Sequence, residues 1–298
     1  MLDRRTFIKQ LVLAYTSMKL LSPLNTFADE KNKSLVSICE STDHRQAVRQ
    51  AVKMAGGIEN FISKGDTVAV KPNMAWARKP EYAANTNPDV VAEVVKLCYE
   101  AGAKKVYVTD NPCNSPRSVY ALSNIPTLAQ KEGAEIFIPQ SRHYKEMNLG
   151  GEFVDDWSVL EVFHTADKVI NVPVAKHHGS SRITVSMKNW LGAVGGFRGS
   201  LHQNLHQAIV DLASFFKPTL NIVDCTRILM TNGPTGGSLD DVKKLNRILV
   251  STDQVAVDSI AAGYLGTTPE NVQFIKIAEK KGLGTSNKNK MNILYGKI

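Results

Sequence analysis

The chain has 298 residues, 43% of them hydrophobic and only 7% aromatic, with a formal net charge of +8. That is enough chain to bury a full core in one large α/β domain or two closely joined ones. The absence of any block of like charge and the sparse aromatics give a nucleic-acid partner little support.

The first residues read as an export signal. Arg4 and Arg5 stand together ahead of Thr6, Phe7, Ile8 and Lys9, which closely resembles the twin-arginine translocation motif, an address read by the export machinery rather than an anchor. Leu11 to Leu24 is moderately apolar, too short to span a bilayer and interrupted by Lys19 and Pro23. Cleavage is expected after Ala28, giving residues 1–28 as signal peptide and 29–298 as a single periplasmic domain. A retained signal would act as a tether. The mature chain keeps 32 basic and 27 acidic residues, a net +5, and no later apolar run reaches membrane-spanning length. Four widely separated cysteines, Cys39, Cys98, Cys113 and Cys225, form no C-x-x-C pair. A cysteine-only cluster or zinc site is therefore disfavoured.

In chain order, Ser34 to Cys39 reads as a strand, and His44 to Ala55 as an amphipathic helix with Ala47, Val48, Ala51, Val52 and Ala55 on one side. Thr67 to Lys71 is a strand that stops at Pro72. Pro88 to Tyr99 is a helix opened by proline and closed by Gly102. Strands follow at Lys105 to Asp110, Ala134 to Ile138 and Lys168 to Val172. A helix is expected over Leu201 to Phe216, strands over Leu220 to Val223 and Arg247 to Ser251, and helices over Gln254 to Leu265 and Asn271 to Lys281. Strands rich in β-branched residues alternating with helices predict an α/β fold, a mostly parallel sheet with helices on both faces.

In such a fold the ligand lies beyond the carboxyl ends of the strands. Polar residues gather there: Lys71, Pro72 and Asn73; Asp110, Asn111 and Pro112; Pro173, Lys176, His177 and His178; Asp224 and the Asn232-Gly233 loop. Singly, each is ordinary turn or cap chemistry. Together they predict one cleft.

The ordered segments Val70-Lys71-Pro72-Asn73, Thr86-Asn87-Pro88, Glu100-Ala101-Gly102-Ala103 and Val169-Ile170-Asn171-Val172-Pro173 with Lys176-His177 resemble the domain of unknown function 362 family. The likeness continues through Thr184, Met187-Lys188-Asn189, Gly192, His202, Ile222-Val223-Asp224, Asn232-Gly233-Pro234 and Asp253 to Asp258. It covers nearly the whole mature chain. Many relatives carry an added ferredoxin-like segment with cysteine-rich cluster motifs. This chain has none, so no intrinsic iron–sulfur cluster is expected.

The densest constellation runs from Lys176-His177-His178 through Thr184, Lys188 and Asn189 to Gly192, Arg198, His202 and His206. Ammonium and guanidinium groups, imidazoles and close-approach glycines suit an anionic ligand or a divalent metal. Thr184, Lys188 and Leu191 have helical spacing. Adjacent His177 and His178 cannot both face one direction in a regular helix or strand, so at most one serves as a ligand unless the backbone is irregular there. His202 and His206, four apart, could share a metal or simply be exposed histidines. The Gly233 to Gly237 loop lacks the Lys and Ser or Thr of a P-loop and is a weak phosphate signal. No hydrolase elbow, zincin motif or dinucleotide fingerprint is visible.

Two functions remain open. One is an exported enzyme, with Lys71, Asn73, Lys176, Lys188, Asn189, Arg198, Asp224, Asn232 and Gly233 binding a small anion and His177 or Asp110 moving protons. The other is a periplasmic ligand- or cofactor-binding protein with the same pocket and no turnover. The cofactor is unknown, and a divalent metal on His202 and His206 is compatible with the sequence.

Overall fold

The computed structural model describes residues 33–298. Arg4, Arg5 and the expected cleavage site after Ala28 lie outside the described residues.

Strands β1 (Ser34–Glu40), β2 (Thr67–Pro72), β3 (Lys105–Val108) and β4 (Glu135–Ile136) are followed by a hairpin of β5 (Tyr144–Asn148) and β6 (Asp156–Leu160). Then come β7 (Lys168–Val172), β8 (Val174–His178), β9 (Arg182–Thr184), β10 (Leu220–Leu229), β11 (Val242–Ser251) and β12 (Met291–Lys297). The main sheet has the order β12-β1-β11-β10-β7-β2-β3-β4, with β8 beside β10 and β9 beside β8. Pairing is parallel from β10 through β7, β2 and β3 to β4, and also between β8 and β10 and between β1 and β12. It is antiparallel where β11 joins β1 and β10, and between β8 and β9.

The long helices are α1 (His44–Met54), α2 (Pro88–Glu100), α3 (Leu205–Phe216), α4 (Gln254–Tyr264) and α5 (Gln273–Lys280). On one face, α1 and α2 cover Val68, Val70, Val106, Val108, Ile170, Ile222 and Val250. On the other, α3, α4 and α5 cover Ala69, Val169, Val223 and Leu249. Successive strand residues therefore point into different cores, which is why β2, β7 and β10 are apolar almost without interruption. Each fully buried valine or isoleucine contributes about 1.5–3 kcal/mol. Among the described residues no helix is long and apolar enough to cross a membrane.

Several boundaries differ from those read in the sequence. β10 runs on to Leu229 and β11 begins at Val242, because the two form one long antiparallel pair. The strand expected at Ala134 to Ile138 is only Glu135–Ile136. The helix expected from Leu201 starts at Leu205, after a 3-10 stretch over Arg198–Asn204. Lys176, His177 and His178, expected in a loop, belong to β8. The hairpin β5–β6 and the strands β9 and β12 had no counterpart in the sequence reading.

Candidate functional site

A polar row crosses the apolar sheet. In register across β2, β7, β10 and β11 stand Lys71, Asn171, Asn221 and Ser251, all buried and, by strand alternation, on the face covered by α3 and α4. Asn171 Nδ2 donates to Ser186 Oγ at 2.9 Å and to Asn221 Oδ1 at 3.1 Å, and Asn221 Nδ2 donates to the Ser251 carbonyl at 3.2 Å. Asn189 Nδ2 donates to Asn171 Oδ1 at 2.8 Å, while its Oδ1 accepts from Lys71 Nζ at 3.2 Å and Asn73 Nδ2 at 3.0 Å. Buried amides are tolerated because both ends are used, and a satisfied network of this kind fixes geometry.

The helical turn Ser186–Asn189 is held from behind. Asp258 of α4 accepts from Ser186 N at 2.7 Å and Met187 N at 3.1 Å, satisfying the free amides at the start of the turn. Burial pushes the Asp258 carboxyl up to about 8. Trp190 Nε1 donates to Gln254 Oε1 at 2.7 Å, and its ring stacks on Phe216 at 4.7 Å between centroids. The sheet thus orients Asn189 while α3 and α4 clamp the turn that carries Lys188.

The row ends at a cavity of about 340 Å³ beyond the carboxyl ends of β2 and β3. Its lining includes Lys71, Asn73, Trp76, Asp110, Cys113, Lys176, His178, Thr184, Lys188, Asn189, Leu191, Gly192, Arg198 and His202. The volume lies in the range of small-molecule sites. Lys71 Nζ contacts Asp110 Oδ1 at 2.7 Å, and the other carboxylate oxygen accepts from Met74 N at 2.6 Å. Burial lowers Lys71 and raises Asp110 from their ordinary ranges, and the ion pair opposes both shifts. A Cβ at Gly192 would lie 1.9 Å from Asp110 Oδ1, so only glycine lets this backbone close over the pair.

Lys176 and Lys188 have no such partner. Lys176 Nζ donates to Asn73 Oδ1 at 3.0 Å and to the Ala84 carbonyl. Lys188 Nζ lies 2.9 Å from His178 Nε2. Both are buried, and burial lowers each to about 7. His178 is lowered to about 3, by burial first and then by the nearby lysines, and its Nδ1 accepts from Ser180 N at 3.2 Å. Among the described residues lining the cavity, Asp110 is the one carboxylate, and Lys71 holds it. The buried hydroxyl of Thr184 has no hydrogen-bond partner.

Of the residues expected in one cleft, Lys71, Asn73, Asp110, Lys176, Lys188, Asn189, Arg198 and His202 line this cavity. His177, Asp224, Asn232, Gly233 and His206 do not. Alternation along β8 turns His177 away; its Nδ1 accepts from Gly233 N at 3.2 Å, and His178 occupies the cavity wall instead. Asp224 accepts from Asn87 N at 2.7 Å and Thr226 N at 2.9 Å, tying β10 to the start of α2. Asn232 donates to Asp241 at 2.7 Å. Gly233 packs so tightly that a Cβ would lie 1.9 Å from the His177 carbonyl oxygen, so this loop braces β8 and brings Pro234 to the cavity. Arg198 lines the cavity with its guanidinium bound to the carbonyls of Asn111, Leu191 and Pro112 at 2.7–3.1 Å. His202 and His206 are separated by the change from 3-10 to α-helix at Leu205; His206 lines a second cavity of about 660 Å³ with His177 and Arg182. No group of three or more His, Cys, Asp or Glu placed for a metal occurs among the described residues. Thr184 lies on β9, not on a helix with Lys188, yet reaches the same cavity.

The sequence reading assigned no site role to Asn171 and Asp258, both named within the family motif, or to Cys113, and missed Asn221 and Trp76. The readable signal was asparagine inside β-branched strands, where an uncharged polar residue needs partners on the same buried face.

The family model for the domain of unknown function 362 matches residues 68–263. The chain belongs to this family. That segment spans β2 to most of α4 and contains every residue named in the cavity. A thylakoid-associated protein of Synechocystis sp. is 28% identical over 253 residues, which is 80% of this chain and 74% of that protein. Among solved structures, the lactate racemase apoprotein from Thermoanaerobacterium thermosaccharolyticum aligns at a TM-score of 0.44 and 10% identity over 74% of this chain. A protein from Thermotoga maritima aligns at 0.38 and 8% over 81%. The chain spans 55% and 60% of those two structures.

Proposed function

We propose that this member of the family binds a small organic anion in the cavity beyond β2 and β3. The observation that carries the reading is the pair of buried lysines, Lys176 and Lys188, lining one cavity in which the single carboxylate is already taken by Lys71. A buried ammonium without a counter-ion is costly, and an anion entering the cavity supplies one. Trp76 and Leu191 give the cavity an apolar wall, which suits a carboxylate or phosphate attached to a carbon body. Asn73, Asn189 and the free Thr184 hydroxyl fix the orientation of such a ligand. The His178–Lys188 contact gives the site a group that can hold or release a proton near neutral pH, so turnover is compatible with the same geometry. The arginine pair at residues 4 and 5 supports export by the twin-arginine route before the protein works.

The test is calorimetry with a panel of carboxylates and phosphates matched against their neutral amides or alcohols. The anions are expected to bind and the neutral analogues to fail. Equal binding of both sets, or of neither, refutes the reading.

A further inference from the structure

The cavity wall carries a thiol that anion binding does not require. Cys39, Cys98 and Cys225 are buried, whereas Cys113 is exposed and lines the cavity with Lys176, Lys188 and Thr184. The peptide that leads into it is held at both of its polar atoms. Its N–H donates to the Ala75 carbonyl at 2.9 Å, and the preceding Pro112 carbonyl accepts from Arg198 Nη2 at 2.7 Å. Independently, the buried, unpartnered Thr184 hydroxyl in the same wall points to a ligand atom there.

We infer that Cys113 is a nucleophile that captures electrophilic organic anions, 2-oxo-acids as a class, while Lys176 and Lys188 hold the anionic group. This deepens the anion-binding reading and rests on it. The thiolate sulfur adds to the carbonyl carbon, the C=O electron pair moves onto oxygen, and that oxygen takes up the proton the thiol released. A thiohemiketal forms with no leaving group and no change of oxidation state. Attack through the thiolate is the ordinary reactivity of an accessible cysteine, and the lysines select which electrophiles arrive.

The measurement compares alkylation by iodoacetate with that by the neutral iodoacetamide, with the modified residue located by peptide mass spectrometry. The iodoacetate-to-iodoacetamide rate ratio at Cys113 is expected to exceed the same ratio for glutathione by about tenfold or more, on the scale of electrostatic steering into a charged cleft. Benzoate should protect the thiol, Cys113→Ser should abolish labelling, and Lys188→Met should bring the ratio down to that of glutathione. Circular dichroism of Lys188→Met, matching that of wild type, reports that the fold is intact. A wild-type ratio equal to that of glutathione, with benzoate still binding by calorimetry, overturns the covalent inference and leaves the anion site standing. Loss of both the ratio and benzoate binding overturns both.

Discussion

Lys176 and Lys188 sit where an ordinary lysine would be charged, yet burial brings both to about 7. The unfolded chain keeps the usual value near 10.4, so between about pH 7 and that value the unfolded state binds more protons. The lysines' contribution to stability therefore rises with pH across this window. Lys188→Met should flatten that rise relative to wild type in urea titrations at successive pH values; an unchanged slope would contradict the burial argument. Binding runs the other way. An anion selects the charged lysines, so benzoate affinity should fall as pH rises above about 7, and proton uptake on binding should appear as a dependence of calorimetric heat on buffer. Gly192→Ala addresses the neighbouring pair. Its methyl would drive into Asp110 Oδ1, and disrupting a buried ion pair costs about 3–5 kcal/mol, so stability should fall on that scale. At this level much of the cavity lining was legible: Lys71, Asn73, Asp110 and Lys176 from the strand ends, and Lys188 and Asn189 from the constellation that follows, line one cavity. The choice between His177 and His178 was not legible, because it depends on the parity of a strand that looked like a loop. Cys113 and Asp258 were given no site role because theirs arise from neighbours distant in the chain.

The decisive element is the short turn Ser186–Asn189, too brief to be stable alone and dependent on α4. Asp258→Ala removes the acceptor for Ser186 N and Met187 N. It should cost about 1–2 kcal/mol, the scale of a helix cap, and weaken benzoate binding as well, since Lys188 rides on the turn. Stability loss with undiminished affinity would show that the turn is not set by α4. Because its folded value is raised to about 8, Asp258 also makes stability fall as pH rises from the ordinary carboxylate range toward 8. The central strands were readable because both faces of β2, β3, β7 and β10 are apolar. β8 was not, since Lys176, His177 and His178 carry no apolar pattern. The hairpin β5–β6 is only partly buried, and edge strand β12 is mostly exposed with Ile293, Leu294 and Tyr295 in an unbroken run, so neither shows a clean alternation. The helix expected from Leu201 had the right periodicity, but Gly199 and the exposed rim loop precede it and the α-helix opens only at Leu205.

At the scale of the molecule, the sheet gathers residues from Lys71 to His202 at one edge, and only topology brings such distant loops together. The proposed export rests on the other end of the chain: replacing Arg4 and Arg5 together by Lys should leave the protein in the cytoplasm on fractionation, and unchanged periplasmic delivery would contradict the twin-arginine proposal. The central claim concerns the cavity, and calorimetric titration of benzoate into wild type, Lys176→Met and Lys188→Met at pH 6.5–7 tests it most directly. Each substitution is expected to weaken binding by about 1.5–3 kcal/mol, the scale of a charged hydrogen bond, with the fold retained. Wild-type affinity in both variants would contradict it.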